Sequence, residues 1–316
     1  MEYSEYSRVV LGYDDIRPSS KFMDTLKLIK PFGVIVFERN ILNIETLKND
    51  ISLIKEYLPG VLIMIDEEGG VKSRLRKEHG FPTPPNPREA ATINSIQETE
   101  NFYFKAGLAL KDIGFDIDLA PVVDIAGEDH ILGDRSFSDE MNTCVDYSVA
   151  AIKGLLKANI CPCAKHFPGL GSATLDPHFY TAVADEKANF ESTHFKPFKA
   201  AIKSGVPSIM TTHLIARQLD NSGQITTLSS KIISILRDQL AFKGLILSDD
   251  LLMKGIAKSM EIPNILDLTL KAGHDLALIC REIEDYSEIY EILQKNRDTE
   301  VFNRIEKLRK KLLKKY

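Results

Sequence analysis

Short apolar runs along this sequence end in chemically active polar side chains at five places. The first place holds Asp66, Glu67 and Glu68, and the second holds Asp124. The third holds Lys165 and His166, the fourth His213, and the fifth Asp249 and Asp250. Each could be an ordinary capping residue, but five such endings on parallel strands would meet at one rim of a barrel. Carboxylates with an acid/base partner suit glycoside cleavage, Asp and His clusters suit a divalent metal, and Lys165 could form a Schiff base. The barrel pattern alone leaves these three chemistries open.

Eight nearly continuous apolar runs predict the strands that position these groups. They cover residues 8–14, 33–38, 61–68, 115–125, 160–167, 208–214, 243–250 and 275–280. Strands that are covered on both faces have this composition. Helices are predicted after the capping residue Asn43, over 98–112, 145–157 and 192–204, after Ser229 or Ser230, and near 283–295 and 299–315. The alternation predicts an α/β fold, a single-domain (β/α)8 TIM barrel over residues 1–316, with the helices of 281–316 packed on it.

Composition and charge exclude several classes of protein. The 316 residues are 44% hydrophobic and 27% charged, which excludes a disordered or collagen-like chain. A balance of 40 Lys and Arg against 45 Asp and Glu offers nothing to attract nucleic acid. The apolar runs are about half the 18 or more residues of a membrane span, so no membrane partner is expected.

The amino terminus and the cysteines predict a cytoplasmic location. Residues 1–14 carry acids early and do not resemble an export signal. Cys161 and Cys163 are two residues apart, which is not a zinc spacing, and with Cys144 and Cys280 they are expected to be buried free thiols.

The basic carboxyl-terminal segment is amphipathic. One face would hold Phe302, Ile305, Leu308 and Leu312. It could touch an acidic membrane surface, but packing on the barrel is the expected arrangement.

Seven segments resemble the β-N-acetylhexosaminidases of glycoside hydrolase family 3, in their single-domain bacterial form. In chain order they are IDEEGGVKSRLR (65–76), LAPVVDI (119–125), LGDRSFS (132–138), AKHFPGLGSATLDPH (164–178), IMTTHLI (209–215), ILSDDLLMKG (246–255) and AGHDLALIC (272–280). Their order and spacing match across about residues 8–280. The fourth segment is the most specific, because KHFPG followed by Asp-x-His marks the N-acetylglucosamine-cleaving branch of that family.

The resemblance implies the catalytic roles. Asp249 is expected to be the nucleophile, which attacks the anomeric carbon and holds the sugar as a covalent glycosyl-enzyme. Asp250 is the competing choice, and strand alternation would turn it away. His178 is expected to be the acid/base, oriented by Asp176, because an imidazole titrates near neutral pH and can give a proton and then take one back.

The resemblance also implies a set of sugar-binding residues. These are Asp66, Arg74, Arg135, Lys165 and His166, with Asp124 and His213 expected to support them. Gly69 and Gly70 would let the chain turn close to the ligand, and Gly169 and Gly171 would give the catalytic loop a hinge. The chain departs from the family pattern at three positions, since Leu170, Pro177 and Val71 stand where His, Ser and Arg are usual. These departures leave the exact substrate open.

The function implied is that of a retaining exo-β-N-acetylglucosaminidase that works without cofactor or metal. Its partner would be a small carbohydrate, such as an N-acetylglucosaminyl muropeptide in cell-wall recycling or a chitooligosaccharide, and the protein would be a monomer. Four alternatives stay open: a β-glucosidase or xylosidase of the same family, a glycoside phosphorylase, a sugar-binding barrel without turnover, and a metal-dependent hydrolase. The metal site would be built from Asp66, His166, His213 and Asp249.

Overall fold

Eight parallel strands close into a barrel. The structure is a computed structural model that describes residues 8–76, 80–177, 180–257 and 260–313, apart from the side chain of Val71. The barrel strands are β1 (Val9–Gly12), β2 (Gly33–Val36), β3 (Leu62–Ile65), β4 (Ile117–Asp118), β5 (Cys161–Phe167), β7 (Ser208–Thr211), β9 (Leu245–Asp250) and β10 (Leu276–Ile279). Neighbours follow chain order around the barrel, and β10 pairs with β1 to close it. The predicted TIM barrel is confirmed, with strands shorter than the apolar runs.

A small second sheet was not predicted from the sequence. It pairs β6 (Ala182–Val183) with β8 (Leu214–Ile215) in parallel. Strand β6 follows barrel strand β5 in the chain, and β8 follows β7. Each of its strands has only two residues, which is too short for a period of two to be recognised.

Helices surround the barrel between the strands. They are α1 (Ser20–Ile29), α2 (Ile44–Tyr57), α3 (Pro87–Ile93), α4 (Ile96–Ile113), α5 (Met141–Lys157), α6 (Phe195–Lys203), α7 (Ser230–Ser234), α8 (Lys254–Ala257), α9 (Ile262–Ala272), α10 (Ser287–Lys295) and α11 (Thr299–Leu313). The predicted caps are confirmed: the Asn43 side chain accepts from the Thr46 N–H at 2.8 Å, and Ser229 accepts from the Ile232 N–H at 3.2 Å. One π-helical turn precedes α6 and another follows α7.

The barrel strands are buried on both faces, apart from Asp249 and Asp250 at the end of β9, which explains the continuous apolar runs. Val10, Ile35 and Met64 belong to the cluster inside the barrel, whereas the alternating Val34 and Ile63 pack in the layer between strands and helices. Cys161 and Cys163 lie in the inner cluster, and all four cysteines are buried and free, as predicted.

Helix α11 covers the amino-terminal end of the barrel. Its apolar residues Val301, Ile305 and Leu308 join the inner cluster, as expected for a packed amphipathic helix. The buried guanidinium of Arg309 donates to the carbonyl of Gly60, just before β3, and Arg304 donates to Asp275, just before β10, at 2.8 Å. The opposite, carboxyl-terminal end is therefore the one left open for chemistry. No helix within the described residues combines the length and the apolar character needed to cross a bilayer.

Shortening the buried Ile305 side chain of α11 should lower the free energy of unfolding of the barrel. Ile305→Ala removes a side chain that is 3% exposed, and buried Ile-to-Ala changes cost about 2–5 kcal/mol of unfolding free energy. We expect a lower thermal and urea unfolding midpoint than in the wild type. Lys310→Ala, on the exposed face of the same helix, should stay within about 0.5 kcal/mol. Equal midpoints for the two variants would contradict the packing role of this helix.

Candidate active site

A cavity of about 290 Å³ opens at the carboxyl-terminal end of the barrel. It is bordered by the five predicted sugar-binding residues and the predicted nucleophile, namely Asp66, Arg74, Arg135, Lys165, His166 and Asp249. They come from the ends of β3, β5 and β9 and from the loops after β3 and β4. The five predicted sugar-binding residues and the predicted nucleophile therefore meet at one place.

Consecutive residues of β5 both reach this cavity. The register of β5 against β7 shifts between Lys165 and Phe167, so strict alternation is interrupted at this point. Lys165 and His166 both border the cavity as a result.

Lys165 is a buried cation held between two carboxylates. Its ammonium contacts Asp66, and it lies 2.6 Å from an oxygen of Glu68. Burial alone would lower the pKa of Lys165, but the charges of Asp66 and Glu68 outweigh burial and raise it above its ordinary value. A Schiff base requires a neutral amine, so this environment does not favour aldolase-type chemistry.

Asp66 is the carboxylate that faces both Lys165 and Arg74. The Arg74 guanidinium donates to it at 3.1 Å. Burial would raise the pKa of Asp66, but Lys165 and Arg74 hold it below its usual value, so the group stays ionised. An ionised carboxylate is an acceptor for sugar hydroxyl groups.

The His166 ring is fixed by Asp124, which has the supporting role predicted for it. One carboxylate oxygen of Asp124 accepts from the His166 backbone N–H at 2.9 Å and lies 2.8 Å from the ring Nδ1. The other accepts from the Leu170 N–H at 2.6 Å. Leu170 itself is buried among apolar side chains, so the loop is anchored through its backbone although the usual His is missing.

Both acids at the end of β9 border the cavity, whereas alternation predicted that Asp250 would turn away. The register of β9 against β10 shifts near this end, which relaxes the alternation. Asp250 Oδ1 is nevertheless occupied by the backbone N–H groups of Leu252 and Cys280, both at 3.1 Å. Asp249 Oδ1 accepts from the Asp250 N–H at 2.8 Å. The Asp250 side chain is thus hydrogen-bonded to the backbone at the end of β10, whereas the Asp249 side chain is hydrogen-bonded to the backbone of Asp250.

The loop that carries the predicted acid/base is docked on Gly255 of α8, the helix that follows β9 in the chain. His178 lies outside the described residues, so its pairing with Asp176 stays a prediction. Asp176 is half-buried and is not among the described residues that border the cavity, whereas Pro177 does border it. The Pro177 carbonyl accepts from the Gly255 N–H at 3.1 Å, and the Thr181 hydroxyl donates to the Gly255 carbonyl at 3.1 Å.

Gly69 and Gly70 lie where two loops meet closely. Their φ angles are +88° and +54°, in the region that favours glycine. A Cβ at Gly69 would lie 2.7 Å from the Pro85 carbonyl, and one at Gly70 would overlap Asn86. These glycines therefore let the β3 loop pack against the proline-rich loop 81–87.

Glu67 and Glu68 are site residues to which the sequence assigned no role. One oxygen of Glu67 accepts from the N–H groups of Arg74 and Leu75, at 2.9 and 3.0 Å, and so shapes the loop that carries Arg74. Glu68 makes a two-pronged ion pair with Arg135, at 2.7 and 2.8 Å. Their position directly after a buried strand was a signal, but nothing in the sequence indicated their partners.

Three of the four residues of the metal alternative are held by other partners. Asp66 is paired with Lys165 and Arg74, and His166 with Asp124. The ring nitrogens of His213 lie 2.7 Å from the Thr227 hydroxyl and 2.8 Å from the Asp250 carbonyl. Across 8–76, 80–177, 180–257 and 260–313, no group of three or more His, Cys, Asp or Glu side chains is placed to hold a metal ion.

A closed parallel barrel, with a carboxylate and a row of donors at its carboxyl end, is an architecture that barrel-type glycoside hydrolases share with other barrel enzymes. The sequence model of the "Glycosyl hydrolase family 3 N terminal domain" matches residues 14–312. The chain belongs to glycoside hydrolase family 3.

One named relative and two solved structures illustrate what this chain is similar to. A "Beta-hexosaminidase" of Haemophilus influenzae is 35% identical over 272 residues, which cover 83% of this chain and 76% of that protein. The structure of a family 3 β-N-acetylglucosaminidase from Paenibacillus sp. superposes with a TM-score of 0.92 at 22% identity, over 99% of this chain. This chain spans 63% of that longer one. NagZ from Neisseria gonorrhoeae, in complex with N-trifluoroacetyl-D-glucosamine, has a TM-score of 0.79 at 24% identity, over 97% of this chain and 96% of that one.

A side chain at position 255 should displace the loop that carries the predicted acid/base. In Gly255→Ala the added Cβ would overlap the Pro177 carbonyl and lie 2.8 Å from that of Tyr180. Small misplacements of catalytic groups are costly, so we expect kcat for glycoside hydrolysis to fall by about tenfold or more with a smaller change in KM. Gly127→Ala is the matched control, because its Cβ would meet nothing within 4 Å. Wild-type kcat in Gly255→Ala would contradict this docking role.

Neutralising Glu67 should change how stability depends on pH. Burial raises the pKa of Glu67 to about 7 from an ordinary 4.5, although hydrogen bonds from Ser73, Leu75 and Arg74 oppose the shift. The folded protein therefore retains a proton that the unfolded chain releases, and this contribution to stability is lost as the pH rises from about 4.5 through 7.

We expect Glu67→Gln to gain stability over the wild type between pH 5 and 8, by up to about 3 kcal/mol at the upper end. Unfolding midpoints measured across this range test the difference. Glu186 is exposed, and the unfolding midpoints of Glu186→Gln should follow those of the wild type across this pH range. A Glu67→Gln curve that is also parallel would exclude this titration.

Proposed function

We propose that the protein is a retaining exo-β-N-acetylglucosaminidase. The observation that supports this most directly is the shared cavity: Asp249, the five sugar-binding candidates and Pro177 of the His178 loop all border it. The β-hexosaminidase and β-N-acetylglucosaminidase names of the relatives support the choice of sugar. We infer the substrate of the whole protein from these names.

Binding would use complementary groups on the cavity wall. Asp66, ionised between two cations, would accept hydrogen bonds from hydroxyl groups of the sugar. Lys165, Arg135 and His166 would donate to its oxygen atoms. Since these side chains are already held by carboxylates, little conformational entropy would be lost when the sugar enters.

Catalysis would proceed by two displacements. In the first, Asp249 attacks the anomeric carbon while His178 donates a proton to the departing oxygen, which gives a covalent glycosyl-enzyme. In the second, His178 takes a proton from water, and the oxygen of that water displaces the carboxylate. Asp176 would orient the imidazole and stabilise its cation. The chemistry as proposed uses side chains of this chain and water alone.

The proposed substrates are small glycans with a terminal β-linked N-acetylglucosamine. Peptidoglycan fragments of the muropeptide type, and their recycling, are the suggested setting, as the family resemblance implies. Four buried, unpaired cysteines are in keeping with a reducing compartment such as the cytoplasm.

The nucleophile assignment can be tested with matched variants. Asp249→Asn should lower kcat on a nitrophenyl β-N-acetylglucosaminide by at least about 10³-fold, because removing a covalent nucleophile abolishes the first displacement. Asp250→Asn keeps an oxygen for the Leu252 and Cys280 amides and should lose far less. A 5-fluoro glycosyl donor should label the peptide at Asp249.

Three outcomes would redirect the proposal. Label on Asp250, or an active Asp249→Asn enzyme, would overturn the nucleophile. A sugar phosphate that forms only with added phosphate would indicate a phosphorylase. Loss of activity in chelator without any label would favour the metal-dependent alternative.

A further inference from the structure

Glu68 is a buried charged residue without a task in the two displacements. Its side chain is 3% exposed, and it is not among the described residues that border the cavity. A buried carboxylate costs free energy unless it is paired. Glu68 is paired with two cations, and both of them border the cavity.

The geometry of these pairs leaves both cations little freedom. Arg135 presents Nε and a terminal nitrogen to the two oxygens of Glu68, at 2.7 and 2.8 Å. Such a two-pronged contact fixes the plane of the guanidinium. The oxygen that receives the terminal nitrogen also lies 2.6 Å from the Lys165 ammonium. A single carboxylate therefore sets the spacing between two cations, one on strand β5 and the other in the loop after β4.

Asp66 cannot replace Glu68 in this task. Asp66 faces the cavity and already contacts both Lys165 and Arg74. Without Glu68, three cations would share this one carboxylate in a buried site, and the guanidinium of Arg135 would lose its two-pronged partner. Like charges in a low-dielectric environment repel strongly, so the cations would move apart.

We propose that Glu68 is a positioning residue of the sugar site, which holds Arg135 and Lys165 in the orientation and spacing at which they donate to the sugar. The inference rests on the proposed function for the identity of the sugar. Glu68 would touch no substrate itself, and its effect would pass through the two cations.

The charge of Lys165 should also depend on Glu68. The titratable and charged groups that face Lys165 are Asp66, Glu68, Asp118, Arg135 and, on its own strand, Cys163. Asp66 and Glu68 raise the pKa of Lys165 against burial, while Arg135 lowers it. Loss of the Glu68 charge removes one of the two neighbouring carboxylates that raise the pKa of Lys165, so this pKa should fall.

The first experiment separates sugar binding from chemistry. On a nitrophenyl β-N-acetylglucosaminide, Glu68→Gln should raise KM, and the inhibition constant of free N-acetylglucosamine, by roughly tenfold to a hundredfold, as expected when charge-assisted hydrogen bonds are lost. The change in kcat should be smaller. Glu68→Asp keeps the charge and should recover part of the affinity. Glu100→Gln removes a carboxylate that pairs with Lys157 in the outer helical layer, and it is the matched control.

The second experiment needs no substrate. In protein labelled with ¹³C at lysine Cε, the Lys165 resonance is assigned by its loss in Lys165→Arg, and it is followed with rising pH. It should titrate at lower pH in Glu68→Gln than in the wild type. A wild type that cannot cleave the glycoside would overturn the proposed function, whereas an unchanged Lys165 titration would overturn this inference alone.

Folding of the variant does not remove the test. If Glu68→Gln fails to fold, Glu68→Asp takes its place, because a carboxylate shorter by one methylene cannot reach both cations at the native distances. A raised inhibition constant for N-acetylglucosamine in Glu68→Asp would then support the proposal. Wild-type affinity in either folded variant would overturn it.

Discussion

The site depends on one chain of alternating charges, buried or half-buried, at the carboxyl-terminal end of the barrel. In order, the chain is Arg74, Asp66, Lys165, Glu68 and Arg135. Buried ion pairs stabilise a fold only when almost every donor and acceptor is matched, and here each member contacts at least one opposite charge. The barrel supplies the rigid frame in which these matches can be kept, because the groups start from neighbouring strand ends. Any change to one member is passed on to the others.

The two ends of the barrel have opposite designs. The carboxyl-terminal end is polar, open and lined by paired charges, whereas α11 covers the amino-terminal end with apolar side chains and two buried or half-buried arginines. This division lets the inner cluster of the barrel be sealed at one end without restricting access at the other. The basic, amphipathic helix α11 fits a globular protein because its apolar face already packs against the inner cluster of the barrel.

Much of this arrangement could be predicted from the sequence, and the exceptions have physical causes. Continuous apolar runs indicate strands buried on both faces, and the strand ends indicated Asp66, Lys165 and Asp249. The partners of Glu68 could not be predicted, since the contact with Arg135 joins residues 67 positions apart. The simultaneous exposure of Asp249 and Asp250 to the cavity arises from a register shift, which alternation rules do not foresee. The close contact at Gly255 depends on how two loops meet in space, and a lone glycine in a sequence does not reveal its neighbour.

The separation of α11 from the cavity has a practical consequence for handling the protein. Lys307 and Lys310 are exposed on the outer face of this helix, at the end of the barrel remote from the cavity. Covalent attachment to a resin or a sensor chip through these amines would leave the mouth of the barrel turned toward the bulk solution. An enzyme attached to a surface in this orientation would receive its glycan substrates without steric obstruction from the support.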